Sequence, residues 1–200
     1  MKIDKLNIGC GDNFVKDWLN IGLFPGRLPP GLSKVKGCLV LYADITYGFR
    51  RPFNEHIKDV QYVYASHFIE HIAFKDARKF LKIINVVMQK GGVLRLSFPD
   101  LELWIKKYCE DDKEFFKTYK STYLKTDKVK TKGEIFMSQV HNFGHKWCYD
   151  FESMEHILQL AGFKDIQKKD AFDSLIPEIK KLEPSEEGRL LESAYVECVK

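Results

Sequence analysis

The sequence predicts an open α/β sheet, on three observations. Short apolar runs recur along the chain: "KLNIG", "WLNIG", "CLVLYAD", "VQYVYAS" and "VLRLSFPD". Several end in Gly, Asp or Ser, and near-continuous runs of this kind suit strands covered on both faces of a parallel sheet. Between the fourth and fifth runs, "FKDARKFLKIINVVMQK" sets Ala77, Phe80, Leu81, Ile84, Val87 and Met88 at steps of three and four, the spacing of an amphipathic helix. Gly91-Gly92 stops that helix before the next strand, and strand, helix, strand is a right-handed crossover unit.

The remaining elements follow from their residues. "LNIGCG", Leu6 to Gly11, is a strand running directly into a glycine turn. Gly9 and Gly11 let the backbone approach a ligand at the carboxyl end of the first strand, although the third glycine of a dinucleotide fingerprint is missing. From Leu101 to Tyr149 the pattern changes to charged helical segments and a polar loop, an insertion after the fifth strand that is expected to form a substrate lid. "DFESMEHILQLAGF" begins another helix, with Asp150 as its N-cap and Gly162 as its stop. "KDIQKK" and "SAYVECVK" read as the late strands that close the sheet edge, so residues 1–200 form one domain.

Composition narrows the functional classes. A chain of 200 residues with 44% hydrophobic and 30% charged content is an ordinary globular composition. No apolar run approaches the roughly 18 residues of a membrane span, and Lys2, Asp4 and Lys5 interrupt any signal-peptide core, so a cytoplasmic protein with no membrane partner is expected. Five scattered cysteines without a C-x-x-C pair read as reduced thiols. A net charge of +4 is too mild for a nucleic-acid footprint, and the lysine-rich stretch from Lys117 to Lys132 reads as a solvated helix end and loop.

Two histidine clusters carry chemistry. His67-x-x-Glu70-His71 has the spacing that puts two metal ligands and a carboxylate on one helical face. His67 directly follows a strand-like run, however, which sets it at a strand-to-helix junction and breaks that face, so no metal is expected there. Glu70 then complements the dipole of the first turn, and His71 is a packed or hydrogen-bonded histidine. The second cluster, "HNFGHKWCYD", holds His141, His145, Trp147 and Tyr149. It reads equally as a substrate loop and as aromatic anchors, Phe143, Trp147 and Tyr149, that tie the insertion to the core.

The ordered series "LNIGCG", "DWLNIG", "LVLYADI", "VYASHFIEH", "GGVLRLSFPDLE" and "LAGF" closely resembles the class I S-adenosylmethionine-dependent methyltransferases, in particular a small branch whose fourth strand ends in "ASHxxEH". The resemblance runs from Lys5 to about Phe163. It implies a three-layer sandwich, a seven-stranded mostly parallel sheet with an antiparallel last strand and helices on both faces. It also implies S-adenosyl-L-methionine as cofactor, cradled by Asn7, Gly9, Cys10 and Gly11, with Asp44 and Ile45 along the adenine and Ser66 and His67 facing the methionine portion. His67, His141 and His145 become the candidate bases, and Asp100, Trp147 and Tyr149 the candidate substrate contacts.

The acceptor implied is a small molecule, anionic in one reading, methylated on oxygen: a sugar, nucleotide-linked or phosphate-like precursor of surface polysaccharide. A cofactor-binding module with weak or no catalysis and a macromolecule methyltransferase are the alternatives, with no nucleic-acid partner expected and a homodimer left open. One position departs from the pattern: Gly22 stands where such enzymes commonly carry the acid that grips the ribose. That leaves the segment Leu23 to Leu32 to supply a partner.

Overall fold

The computed structural model describes residues 3–22, 31–46, 57–183 and 187–200. Eight strands form a single mixed sheet: β1 (Lys5–Ile8), β2 (Leu19–Gly22), β3 (Gly31–Val35), β4 (Cys38–Tyr42), β5 (Val60–Ser66), β6 (Met88–Pro99), β7 (Lys164–Lys169) and β8 (Ser193–Val199). Their spatial order is β3-β4-β2-β1-β5-β6-β8-β7. The five strands from β4 to β6 are mutually parallel, whereas β3, β7 and β8 pair antiparallel with their neighbours. The helices are α1 (Phe74–Val87), α2 (Leu101–Cys109), α3 (Lys113–Tyr119), α4 (Lys132–His141), α5 (Phe151–Ala161) and α6 (Glu187–Glu192).

All seven expected strands are present, and β3 corrects the count to eight. It is the outer arm of a hairpin closed by Lys36 and Gly37, both at positive φ (49° and 77°), the two-residue turn that matches strand twist. As an edge strand it alternates half-buried and exposed residues, so "GLSKV" lacks the apolar run that marks its neighbours. The end of α1 also shifts: Met88 starts β6 and pairs with Val60, so the helix stops before Met88 and the Gly91-Gly92 step lies inside a strand. The α5 expectation holds, with Asp150 Oδ1 accepting from Ser153 N at 2.8 Å and left-handed Gly162 closing the helix.

The two faces of the sheet differ in chemistry. On one face Leu6, Ile8, Val63, Ala65, Leu94, Leu96 and Val196 pack against Ala77, Phe80, Leu81 and Ile84 of α1 and Met154, Ile157 and Leu158 of α5. Fully burying each of the Val, Leu, Ile, Phe and Met side chains among these contributes about 1.5–3 kcal/mol. The opposite face carries buried polar groups, Asn7, Asn20, Arg95, Ser97 and Glu197. Its cover is an irregular connector, residues 170–183, whose Ile176, Ile179 and Leu182 pack with Val15, Trp18, Tyr64 and Val93. Among the described residues this face therefore carries a polar-bonded connector where the resemblance implies helices.

Arg95 is the centre of that arrangement. Fully buried, its Nε donates to Glu183 Oε1 at 2.8 Å and its Nη1 to Glu197 Oε1 at 3.1 Å and Asp173 O at 2.9 Å. Nη2 donates to Asp170 O at 2.9 Å and Ala171 O at 2.6 Å, so every N–H of the guanidinium is used. Tyr64 adds a bond from its hydroxyl to Glu183 Oε2 at 3.0 Å. Two acids and three carbonyls around one cation thus fix the connector across the sheet.

The region from α2 to α4 packs around Trp104, Phe115, Phe116, Tyr119 and Ile135, a small core of its own. Asp112 caps α3 through Phe115 N at 3.0 Å, and Thr131 with Glu134 forms a capping box at α4. All five cysteines are free thiols. Among the described residues no helix is long and apolar enough to cross a membrane.

Candidate functional site

The carboxyl ends of β1 and β5 open onto a cleft of about 610 Å³. Its floor is the end of β1 and the turn that follows, Asn7 to Asn13, with Tyr64 and Ser66 from β5; Lys181 to Glu183 and Arg189 form the far wall. Asn20 shapes the floor. Its Oδ1 accepts from Asn7 Nδ2 at 2.9 Å and Val15 N at 2.8 Å, while its Nδ2 donates to the carbonyls of Val15, Trp18 and Leu39. Asn13 Nδ2 reaches Leu182 O at 3.1 Å and joins floor to wall.

The two glycines of the turn do different work. Both have positive φ, 68° at Gly9 and 50° at Gly11. A Cβ on Gly9 would sit 2.8 Å from Cβ of Phe68, so that glycine is required by packing. A Cβ on Gly11 would meet nothing within 4 Å, so its bare backbone faces the open cleft. Between them, burial pushes the Cys10 thiol up to about 12, which keeps it protonated and inert.

The same architecture occurs in solved structures along the whole chain. A SAM-dependent methyltransferase from Archaeoglobus fulgidus matches 100% of this chain and 86% of its own, with a TM-score of 0.52 and 14% identity. A chain from a complex between the Haloferax volcanii Trm112 methyltransferase activator and a protein described as a methyltransferase matches 100% and 83% with a TM-score of 0.53 and 12% identity. A Thermotoga maritima SAM-dependent methyltransferase matches 100% and 83% with a TM-score of 0.50 and 17% identity. The chain has the fold of the SAM-dependent methyltransferases. No family model and no curated protein matches the sequence, and at these identities the likeness concerns the fold.

Within this methyltransferase fold, Asn7, Gly9, Cys10, Gly11 and Ser66 line the cleft, as the sequence suggests. Asp44 and Ile45 do not. Ile45 is buried in the main core, and exposed Asp44 spends Oδ1 on Thr46 N at 2.9 Å in a local turn. Gly22 ends β2 fully within the sheet, and Leu23 to Pro30, most of the segment expected to supply a ribose partner, lie outside the described residues.

His67 sits one residue beyond Ser66 in the left-handed region, φ 46°, with its N–H donating to Ser97 O at 2.8 Å. Its side chain is buried between two partners. Nδ1 lies 3.2 Å from Glu70 Oε1, and Nε2 lies 2.7 Å from Ser193 Oγ at the start of β8. With Nδ1 turned to a carboxylate, that nitrogen carries the proton and Nε2 accepts from the serine hydroxyl. Burial lowers the His67 pKa below its ordinary value, so the ring is neutral at physiological pH. His67 itself does not line the cleft.

The turn after His67, Ile69–His71, is too short to carry His67 and His71 on one helical face, as the junction argument requires. Instead the second cluster comes to the first. Lys146 N and Trp147 N both donate to Glu70 O, at 2.7 and 3.2 Å, and this clamp sets His145 against His71 with ring centroids 4.9 Å apart. His145 Nδ1 is 2.6 Å from Gln139 O, which leaves Nε2 to face the cluster. Glu70, His71 and His145 offer one ligand atom each, all within 4.8 Å of one another.

His141, by contrast, is exposed at the end of α4. Trp147 is 44% exposed and stacks on Phe74 at 4.8 Å, and Tyr149 is fully buried against Phe98 and Phe74. Of the two readings of this loop, these contacts match the anchoring one. Asp100 is spent on structure as well: Oδ1 caps α2 through Glu102 N at 3.1 Å, and Oδ2 pairs with Lys168 Nζ at 3.1 Å. None of the three candidate substrate residues lines the cleft. Arg189, Glu183 and Asn13 do line it, and Glu183 is carried there by a connector whose path no local pattern encodes.

Proposed function

We propose that the chain is a SAM-dependent methyltransferase that acts on oxygen of a small-molecule acceptor. The supporting observation is the cleft at the carboxyl ends of β1 and β5, where ligands of open α/β sheets bind and where Gly11 leaves its backbone bare. Its volume falls in the roughly 300–1,000 Å³ range of small-molecule sites. Asn7, Gly11 and Ser66 are the residues that would hold S-adenosyl-L-methionine, which when bound supplies a sulfonium methyl already activated for transfer.

The chain's own work is then alignment and proton removal. His67 is the proposed base: neutral, held in one tautomer by Glu70, with the Nε2 lone pair bonded only to the Ser193 hydroxyl. An acceptor hydroxyl that took the place of the Ser193 hydroxyl would give its proton to His67 Nε2. Arg189 lines the far wall of the cleft and would favour an anionic group on the acceptor. With the sequence resemblance, this supports a sugar, nucleotide-linked or phosphate-like precursor of surface polysaccharide, and the lid is assigned to residues 101–149.

Calorimetric titration with S-adenosylhomocysteine tests the reading. Micromolar binding lost in an Asn7→Asp or Gly11→Val variant supports it, and no binding by the folded protein rejects it. His67→Ala that keeps full turnover and unchanged binding removes His67 from the chemistry.

A further inference from the structure

We infer that Glu70, His71 and His145 form a binding site for a divalent first-row transition cation beside the proposed methyl-transfer cleft. One carboxylate and two imidazoles converge from two separate segments, with ligand atoms all within 4.8 Å of one another. Zn²⁺, Mn²⁺, Fe²⁺ and Co²⁺ suit such a mixed nitrogen and oxygen set, whereas Mg²⁺ and Ca²⁺ prefer oxygen alone.

A second observation points to the same ligand. Glu70 is 1% exposed, yet neither of its carboxylate oxygens accepts an aligned hydrogen bond. His67 Nδ1 approaches Oε1 to 3.2 Å but off the hydrogen-bond direction. A buried carboxylate without hydrogen bonds is costly unless a cation meets it.

The surrounding bonds prepare the site as outer partners of metal ligands do. Gln139 O takes the proton of His145 Nδ1, which fixes the tautomer with the Nε2 lone pair toward the cluster. The bonds from Lys146 N and Trp147 N to Glu70 O hold the two segments together whatever the charge state of the side chains. His67 Nδ1, 3.2 Å from Glu70 Oε1, is placed as the outer partner of the ligating Glu70.

Three protein ligands leave coordination positions open. If the methyltransferase reading holds, an acceptor oxygen occupies one of them, which selects acceptors that offer a hydroxyl beside a second oxygen donor. That clause rests on the proposed function; the cation site does not.

The test is titration of chelator-treated full-length protein with Zn²⁺ by calorimetry and with Co²⁺ by visible absorption. One Zn²⁺ per chain at micromolar affinity or tighter is expected, with a Co²⁺ spectrum of mixed nitrogen and oxygen ligation. His71→Ala and His145→Ala should each weaken binding at least about tenfold, and His156→Ala, an exposed histidine on α5, should not. Circular dichroism of each variant confirms that it is folded. Absence of stoichiometric binding, or binding unchanged in both His71→Ala and His145→Ala, overturns the site. S-adenosylhomocysteine titrated into the same metal-free protein reads the methyltransferase proposal separately, so the two failures cannot be confused.

Discussion

Phe68 occupies the space that a Cβ on Gly9 would need, at 2.8 Å from Cβ to Cβ, so the turn after β1 and the exit from β5 are packed in direct contact. Gly9→Ala must therefore displace an aromatic ring and hold positive φ. A loss of about 1–3 kcal/mol in chemical denaturation is expected. Gly11→Ala meets no atom and should cost only about 1–2 kcal/mol for its backbone conformation. Its larger effect should be on affinity for S-adenosylhomocysteine, and unchanged affinity would remove Gly11 from the ligand site.

The ion cluster at Arg95 makes a second prediction. Arg95→Met leaves Glu183 and Glu197 buried without their cation, a change expected to cost about 3–5 kcal/mol. Adding Glu183→Gln and Glu197→Gln removes the stranded charge and should recover part of that loss. If the triple variant is no more stable than Arg95→Met, the cost lies in lost packing and carbonyl bonds instead. Denaturant midpoints of the three proteins decide it.

A third prediction concerns pH. Burial raises the Glu192 carboxyl to about 8, from an unfolded value near the ordinary carboxylate range. The folded protein therefore binds more protons than the unfolded chain between those values. Stability from this group is complete below the unfolded pKa and is lost as pH rises through about 8. Melting temperature should fall between pH 5 and pH 8 in the natural protein and fall less in Glu192→Gln. Parallel pH profiles of the two proteins would exclude Glu192 as the source.

Where structure is encoded locally, the sequence is readable. The runs of β1, β5 and β6 announce themselves, and so do the stripe of α1 and the Asp150 cap of α5, because period and capping act within a few residues. The polar face of the sheet is hidden for the opposite reason. Asn7 and Arg95 interrupt their runs as isolated polar residues, and only the folded connector shows that Arg95 has five partners.

The site divides along the same line. Ser66 and the glycine turn follow from strand ends. The meeting of His145 with Glu70 depends on two backbone bonds between segments far apart in the chain. Asp100 and Tyr149 mislead because an acid and an aromatic after a strand look alike whether they cap, pack or bind.

The division of the cleft into floor and wall has a consequence for synthesis. The floor is the first strand and its turn, whereas the wall, Lys181 to Glu183 and Arg189, is held through Arg95 and by Glu197 of the strand that pairs with β6. During translation the earlier strands can pair while the pocket still has only one side. A ligand that needs both sides is captured only after β8 has emerged and closed against β6. Retention of S-adenosylhomocysteine by ribosome-bound chains of increasing length would then mark the point at which the last third of the protein is made and folded.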